Sequence, residues 1–313
     1  MNITRFKKLK FLYYAKNILR QGIPGVFYRA ALKNKLAKPV NSDIADRVNY
    51  YNKLKDVIGL GDKAIALKNM QIFKSPKAYN FDAFEYTRYF NGDLKMNFLV
   101  GDITYVPEVP TIQKSRPIAG ENAKAVLLNL DKYRHFVFVQ DKKPFAAKKD
   151  LLIGRGIVTQ PHRIKFMEMH FNNPMCDVGQ VNAKEGNLEW LKPKVSITDH
   201  LDYKFILSLE GNDVATNLKW IMSSNSVAVM PPPKYETWFM EGRLIPGVHY
   251  IGISDDYSDL DEKLKYYMQH TAEAEQIARN ANKYVAQFFD KEKEDTIALL
   301  VLQKYFKYTG QIK

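Results

Sequence analysis

Two short stretches in the second half of the chain carry residues suited to holding an anion. The first is Gly154, Arg155 and Gly156, with Arg163 seven residues further on. Glycines let a ligand approach the backbone closely, and two arginines can each fork onto phosphate oxygens. The second is Glu210, Gly211, Asn212 and Asp213, expected to run into a helix over 214–223. The N-terminus of such a helix, at Val214, offers unpaired N–H groups and the positive end of a dipole. Asn217 and Lys219 lie close enough along it to reach the same ligand. Neither stretch has Walker A or GxGxxG spacing, so neither triphosphate hydrolysis nor a dinucleotide fingerprint is supported. Taken singly, a Gly-Arg-Gly run more often marks a plain turn, and residues 210–213 a plain helix cap.

These groups need strands behind them. Residues 150–153, 204–209 (KFILSL), 226–230 (SVAVM) and 249–254 (HYIGIS) read as short apolar strands. Helices are expected from about Pro161, over 214–223, over 235–241 and over 272–289, with Ser258 and Asp261 close to a capping box. Strand–helix alternation of this kind predicts an α/β fold with a parallel sheet covered on both faces. In such a sheet ligands bind beyond the carboxyl ends of the strands. Earlier in the chain, 43–69 reads as helical with polar interruptions. Residues 97–102 form a strand ending in Asp102, and a proline-punctuated loop covers 103–117. Two further apolar segments span 125–130 and 135–140, and 141–149 reads as a linker.

The chain has 313 residues, 46% of them hydrophobic and 26% charged, a composition that excludes disorder and fibrous repeats. Lysine and arginine number 47 against 34 acids, so the net charge of +13 calls for an anionic partner. Residues 1–40 hold ten of the basic residues and no acid. With Phe6, Leu9, Phe11, Leu12, Tyr13, Tyr14, Ile18 and Leu19 among them, the segment reads either as a helix on an anionic membrane surface or as an ordinary surface helix. On a helical wheel its lysines do not segregate cleanly from the apolar residues. The single cysteine, Cys176, rules out a disulfide framework and suits a reducing compartment. No secretory leader and no bilayer-spanning stretch is read.

The order Arg155, Gly156, Arg163, then His200, Tyr203, Lys204, Gly211 and Lys219, then Trp238, Val248, His249 and Tyr250 resembles glycosyltransferase family 90, best over about residues 98–290. That family holds bacterial lipopolysaccharide-modifying glycosyltransferases and Rumi-type protein O-glucosyltransferases. The resemblance implies a GT-B architecture, two Rossmann-like domains facing across a cleft, with a UDP-sugar as donor substrate and neither cofactor nor metal. The implied division is 1–145 as acceptor-side domain, 146–290 as UDP-sugar domain, and 291–313 as a C-terminal helix packing back on the first. Donor contacts would fall on Arg155, Gly156, Ile157 and Arg163, and along Gly211, Asn212, Asp213, Val214, Ala215, Thr216 and Asn217. Asn217 stands where eukaryotic members carry an arginine, and Lys219 would compensate. Lys114 and Arg116 look like the lysine–arginine element of bacterial members and are assigned to the cleft. The aspartate of the family falls on Asp102, with Gly101 in place of the usual arginine before it.

Physical chemistry fits that assignment. Transfer from a UDP-sugar builds negative charge on the diphosphate, which cations and N–H dipoles must neutralise. Opposite it a carboxylate, Asp102, takes the proton of the attacking acceptor hydroxyl. Direct displacement inverts the anomeric centre. Without the resemblance, Asp102 reads as a solvated strand-end acid. Asp259, Leu260 and Asp261 spell DxD, but at a helix start first-turn acids serve the dipole. Glu236 and Trp238 suit either a sugar pocket or the core, and the six histidines show no metal-ligand spacing. The expected enzyme is an inverting glycosyltransferase moving a hexose or pentose onto a lipopolysaccharide core or related surface glycan. It would be cytoplasmic and peripheral at the inner membrane face, meeting an anionic surface through residues 1–40. Alternatives are a protein O-glycosyltransferase of the same family, a nucleic-acid-binding protein and an inactive membrane-associated scaffold.

Overall fold

The computed structural model describes residues 3–37 and 39–313; of the basic segment 1–40, residues 1, 2 and 38 lie outside them. Helices α1 (Ile3–Leu19), α2 (Gly25–Leu36) and α3 (Ser42–Tyr51) open the chain. They are followed by β1 (Ile65–Ala66), α4 (Lys77–Thr87), β2 (Lys95–Phe98), β3 (Thr111–Gln113), β4 (Arg116–Pro117), β5 (Ala125–Leu127) and α5 (Lys132–His135). Next come β6 (Lys149–Gly156), α6 (Pro161–His170), β7 (Cys176–Gln180), α7 (Ile197–His200), β8 (Tyr203–Leu207), α8 (Leu218–Met222) and β9 (Val227–Met230). The chain ends with β10 (Tyr235–Glu236), β11 (Ile251–Gly252), α9 (Leu260–Gln269), α10 (Thr271–Ala286) and α11 (Lys291–Tyr308). Two compact units result, one from 3–8, 135–233 and 243–287 among the described residues, the other from 9–37, 39–134, 234–242 and 288–313.

In the first unit, five parallel strands lie in the order β11-β9-β8-β6-β7. A sheet covered on both faces needs unbroken apolar strands rather than alternation. Leu152, Ile153, Phe205, Ile206, Val227, Val229 and Ile251 are all buried accordingly. Phe166 of α6, Leu260 and Leu264 of α9 and Ile277 of α10 share their core. The strand order also fixes where a ligand can enter. From β6 the chain steps to β7 on one side, then returns to β8 on the other, so the loops leaving β6 and β8 diverge. A crevice opens at that switch point, beyond the carboxyl ends of the two strands.

The second unit carries a smaller sheet, β1-β2-β3-β5, parallel except for the antiparallel β1. A separate antiparallel pair joins β4 to β10, with Arg116 opposite Glu236. Helices α3, α4 and α11 pack together beside them. Their interior is tied by charge as well as by apolar contact. Arg47 forms a bidentate pair with Glu294, which also accepts from the Trp238 indole N–H at 2.6 Å. The Trp238 ring stacks on Tyr51 with centroids 3.8 Å apart, which places Trp238 in the core.

Several expected elements differ. Residues 135–140 form no strand beyond the end of α5, and 52–64 are irregular after α3. Instead of a helix over 235–241, residues 235–236 form β10 and the helical turn waits until Glu241–Arg243. The helix expected from Val214 begins at Leu218 and has five residues.

Candidate functional site

The crevice at the switch point is a cavity of about 210 Å³. Gly154, Arg155, Gly156, Ile157 and Val158 line it from the end of β6, Leu207 and Leu209 from the end of β8, and Thr216 and Asn217 from the loop before α8. Gly154 is dictated by packing: a Cβ there would sit 3.0 Å from the Leu207 side chain. The two stretches singled out in the sequence therefore meet here, and Arg163 is the tie.

Arg163 lies in the first turn of α6, which starts with Pro161 at its first position, where a missing N–H costs nothing. Its guanidinium donates to Leu209 O (Nη2), Glu210 O (Nε) and Ile157 O (Nη1), each at 2.8 Å. The His162 ring bonds Glu210 O at 2.8 Å, and Gln160 reaches the Asn212 amide oxygen at 3.2 Å. Every partner of Arg163 is a neutral carbonyl. Burial accordingly pushes its pKa down from the ordinary arginine value. An ideal Cβ on Gly211 would lie 3.7 Å from Nη2, so the second glycine flanks the guanidinium as well.

Arg155 behaves differently from expectation. Its donors go to Asp177 Oδ1 at 2.8 Å and to the carbonyls of Gly154, Asp177 and Pro193. Lys192 joins the same carboxylate at 3.0 Å. Burial works to raise the Asp177 carboxyl, but hydrogen bonds from Lys192 and Arg155 outweigh it and leave its pKa low. Arg155 thus braces β6 against β7, its charge paired with Asp177. The partner, Asp177 on the adjacent strand, was the missed residue; an acid inside the β7 run was its signal.

Asn217 donates to Leu207 O at 2.9 Å and accepts from Ser208 Oγ at 3.1 Å. It staples its loop to the end of β8, which is why residues 214–217 stay out of the helix. Asn212 and Thr216 are exposed, whereas Asp213, Val214 and Ala215 are buried. Lys219 has no exposed surface, so the compensation expected from it at the ligand is not offered to a solvent-accessible cavity.

In the second unit, Asp102 lies four residues beyond β2 rather than on the strand. Gly101 before it has φ +104°, a conformation that L side chains rarely adopt, with open space where a Cβ would stand. The departure from arginine is therefore a backbone requirement. Asp102 Oδ1 accepts from Lys114 Nζ at 2.6 Å; the lysine side chain is 1% exposed and the carboxylate 31%. Both follow strands of one parallel sheet at its carboxyl end. Arg116, assigned to the cleft, is fully buried: it donates to Glu236 at 2.8 Å and to the carbonyls of Tyr50, Tyr51 and Ala125. Glu236, a candidate for a sugar pocket, is its counter-ion, and also accepts from the Tyr50 hydroxyl.

The acids of the DxD run are engaged locally. Asp259 accepts from Ser254 N and Oγ, and Asp261 from Asn173. Among the described residues no cluster of three or more His, Cys, Asp or Glu could hold a metal, and no helix is long and apolar enough to cross a membrane.

Comparison with known proteins converges on one family. The model of glycosyl transferase family 90 matches residues 134–310, which takes in the cavity and stops short of Asp102, Lys114 and Arg116. O-glucosyltransferase LpsA of Dichelobacter nodosus is 45% identical over 263 residues, 84% of this chain and 82% of that protein. O-glucosyltransferase rumi of Drosophila pseudoobscura pseudoobscura is 24% identical over 46% of this chain and 37% of its own length. Protein O-glucosyltransferase 2 of Danio rerio is 34% identical over 40% and 26%. With the family model matching more than half of the chain and a 45% identical relative aligned over most of both proteins, the chain belongs to glycosyltransferase family 90 and is a transferase enzyme.

Proposed function

We propose that the chain is an inverting glycosyltransferase that moves glucose from UDP-glucose to a hydroxyl of a lipopolysaccharide core or related surface glycan. In this reading the two units are the halves of a GT-B enzyme, with the donor in the first. The observation that carries it is Arg163: a half-buried guanidinium beside an apolar-walled cavity, partnered only by carbonyls. A diphosphate supplies the charge such a group lacks. Gly154, Gly156, Ile157, Thr216 and Asn217 wall the nucleotide, and the 45% identical glucosyltransferase supports glucose as the sugar.

Charge builds on the diphosphate as the anomeric C–O bond breaks, and Arg163 stabilises it more in the transition state than in the ground state. Asp102 accepts the proton of the acceptor hydroxyl while its oxygen attacks the anomeric carbon from the far face. Lys114 fixes one oxygen of that carboxylate, and Arg116 positions Lys114 by anchoring β4 immediately after it. The reaction so written needs no divalent ion, and a chelator should leave turnover unchanged. Calorimetric titration with UDP, UDP-glucose, UDP-galactose and UDP-xylose tests the reading, followed by assay of UDP release. UDP should bind, and UDP-glucose should give the fastest release. Absence of binding and of release with all four would overturn it.

A further inference from the structure

The first two helices hold an apolar face away from the fold. In α1 the docked side is polar and aromatic. The Tyr13 hydroxyl donates to Asp82 Oδ1 at 2.8 Å, Tyr14 packs edge-on against Phe81, and Asn17 is 3% exposed. Across the helix, Phe11 is 70% exposed and Leu19 77%, with Leu12 and Ile18 also out. Positions 11, 12, 15, 18 and 19 share one helical face. In α2 the pattern repeats: Tyr28 packs on Tyr89 and beneath the Arg88 guanidinium, while Val26 and Phe27 face solvent. Ile23, in the connecting turn, is exposed between them. Ordinarily a surface helix buries such residues and shows its polar side; here the order is reversed along both helices.

The charge of the segment says what covers this face. Lys16, Arg29 and Lys33 are exposed, and no acid occurs before Asp43. Arg20 is not counted among them, because it pairs with Glu85 at 2.6 Å. A second copy of the chain would bring the same positive excess against itself. A nucleic acid would match the charge but offers no apolar phase to Phe11, Leu19 and Phe27. We propose that the outer face of α1 and α2 is a docking surface for an anionic phospholipid bilayer. The apolar side chains enter the boundary between headgroups and acyl chains, and the lysine and arginine heads meet the lipid phosphates. This rests on the helices alone and does not depend on the reaction proposed above.

Co-sedimentation tests it, using the full chain with vesicles of phosphatidylcholine alone or with about one-third phosphatidylglycerol. The protein should pellet with the anionic vesicles and far less with the neutral ones. Two variants separate the contributions: Phe11→Ser/Leu19→Ser/Phe27→Ser, and Lys16→Gln/Arg29→Gln/Lys33→Gln. Each should weaken vesicle binding at least about tenfold and leave UDP affinity and the urea midpoint unchanged, because every replaced side chain is exposed. The proposal is overturned if the native chain ignores anionic vesicles. It is equally overturned if the serine variant binds them as tightly as the native chain, which would mark a generic polyanion contact. A dimer in free solution that the serine variant abolishes would assign the face to a second copy instead.

Discussion

Arg116 is fully buried and Arg163 half-buried, and they are completed in opposite ways. Arg116 has a carboxylate at 2.8 Å and carbonyls around it, and Arg47 is likewise closed by Glu294. Arg163 has carbonyls only. Carbonyl dipoles satisfy its N–H groups without cancelling its charge, and the burial that lowers its pKa records the imbalance. In the second unit, cation–carboxylate pairs join segments far apart in sequence, as Arg47 and Glu294 do across 247 positions. In the first unit the cation stands at a cavity with room for an anion. Lys114 and Asp102 fall between the two cases: the ammonium is enclosed while the carboxylate meets solvent. A pair such as Arg116 and Glu236 is closed to solvent on both sides, whereas Lys114 and Asp102 keep the carboxylate at the surface.

The half-open pair gives the largest expected effect. Asp102→Asn keeps the shape and removes the base, so turnover should fall about 10²–10⁴-fold, with UDP affinity in calorimetry unchanged. Weakened UDP binding would move Asp102 out of the catalytic role. The closed pairs come next. Glu236→Ala leaves Arg116 as an uncompensated buried charge and should cost about 3–5 kcal/mol in urea unfolding. An unchanged midpoint would show that the carbonyls alone suffice for Arg116, and the contrast with Arg163 would lose its meaning.

How much of this could be read beforehand depends on distance along the chain. The apolar runs at 204–209 and 226–230 are β8 and β9, because a doubly covered strand needs no more than its own residues to declare itself. The helix at Pro161 announced itself in the same way. The stretches that hold Arg163 and Gly211, each suited to an anion, lie side by side. What stayed hidden was set by partners elsewhere. Asp177 takes Arg155, Glu236 takes Arg116, and Asn217 holds its loop to β8 so that the helix starts late. Residues 234–242 join the second unit through β10, whose pairing with β4 spans 120 positions at Arg116 and Glu236. No local pattern encodes such a pair; only Pro231, Pro232 and Pro233 marked a break there.

The open cation gives a smaller effect than either pair. Arg163→Ala should weaken UDP binding by about 1.5–3 kcal/mol, the range for a hydrogen bond to a charged group. Stability should change by no more than about 1 kcal/mol, since the freed carbonyls border a cavity that water can enter. Should unfolding suffer as severely as in Glu236→Ala while UDP binding holds, Arg163 is structural and the distinction between the units fails.

Asp82 gives the smallest effect and the finest test, because it is an ion pair of the second unit that the fold does not quite close. The carboxyl is fully buried, with the Lys132 ammonium at 3.9 Å, the Lys132 N–H at 2.9 Å and the Tyr13 hydroxyl at 2.8 Å. Burial outweighs these and raises its pKa to about 7. An acid whose pKa is higher folded than unfolded holds its proton longer in the native state. Stability therefore falls as pH rises from the unfolded pKa toward the folded one. Between pH 5 and 7 the loss should be on the order of 1–2 kcal/mol in urea unfolding. Asp82→Asn keeps an acceptor for Tyr13 and cannot ionise, so it should flatten that slope. A slope that survives the substitution would place the titrating group elsewhere and leave Asp82 as fully compensated as Glu236.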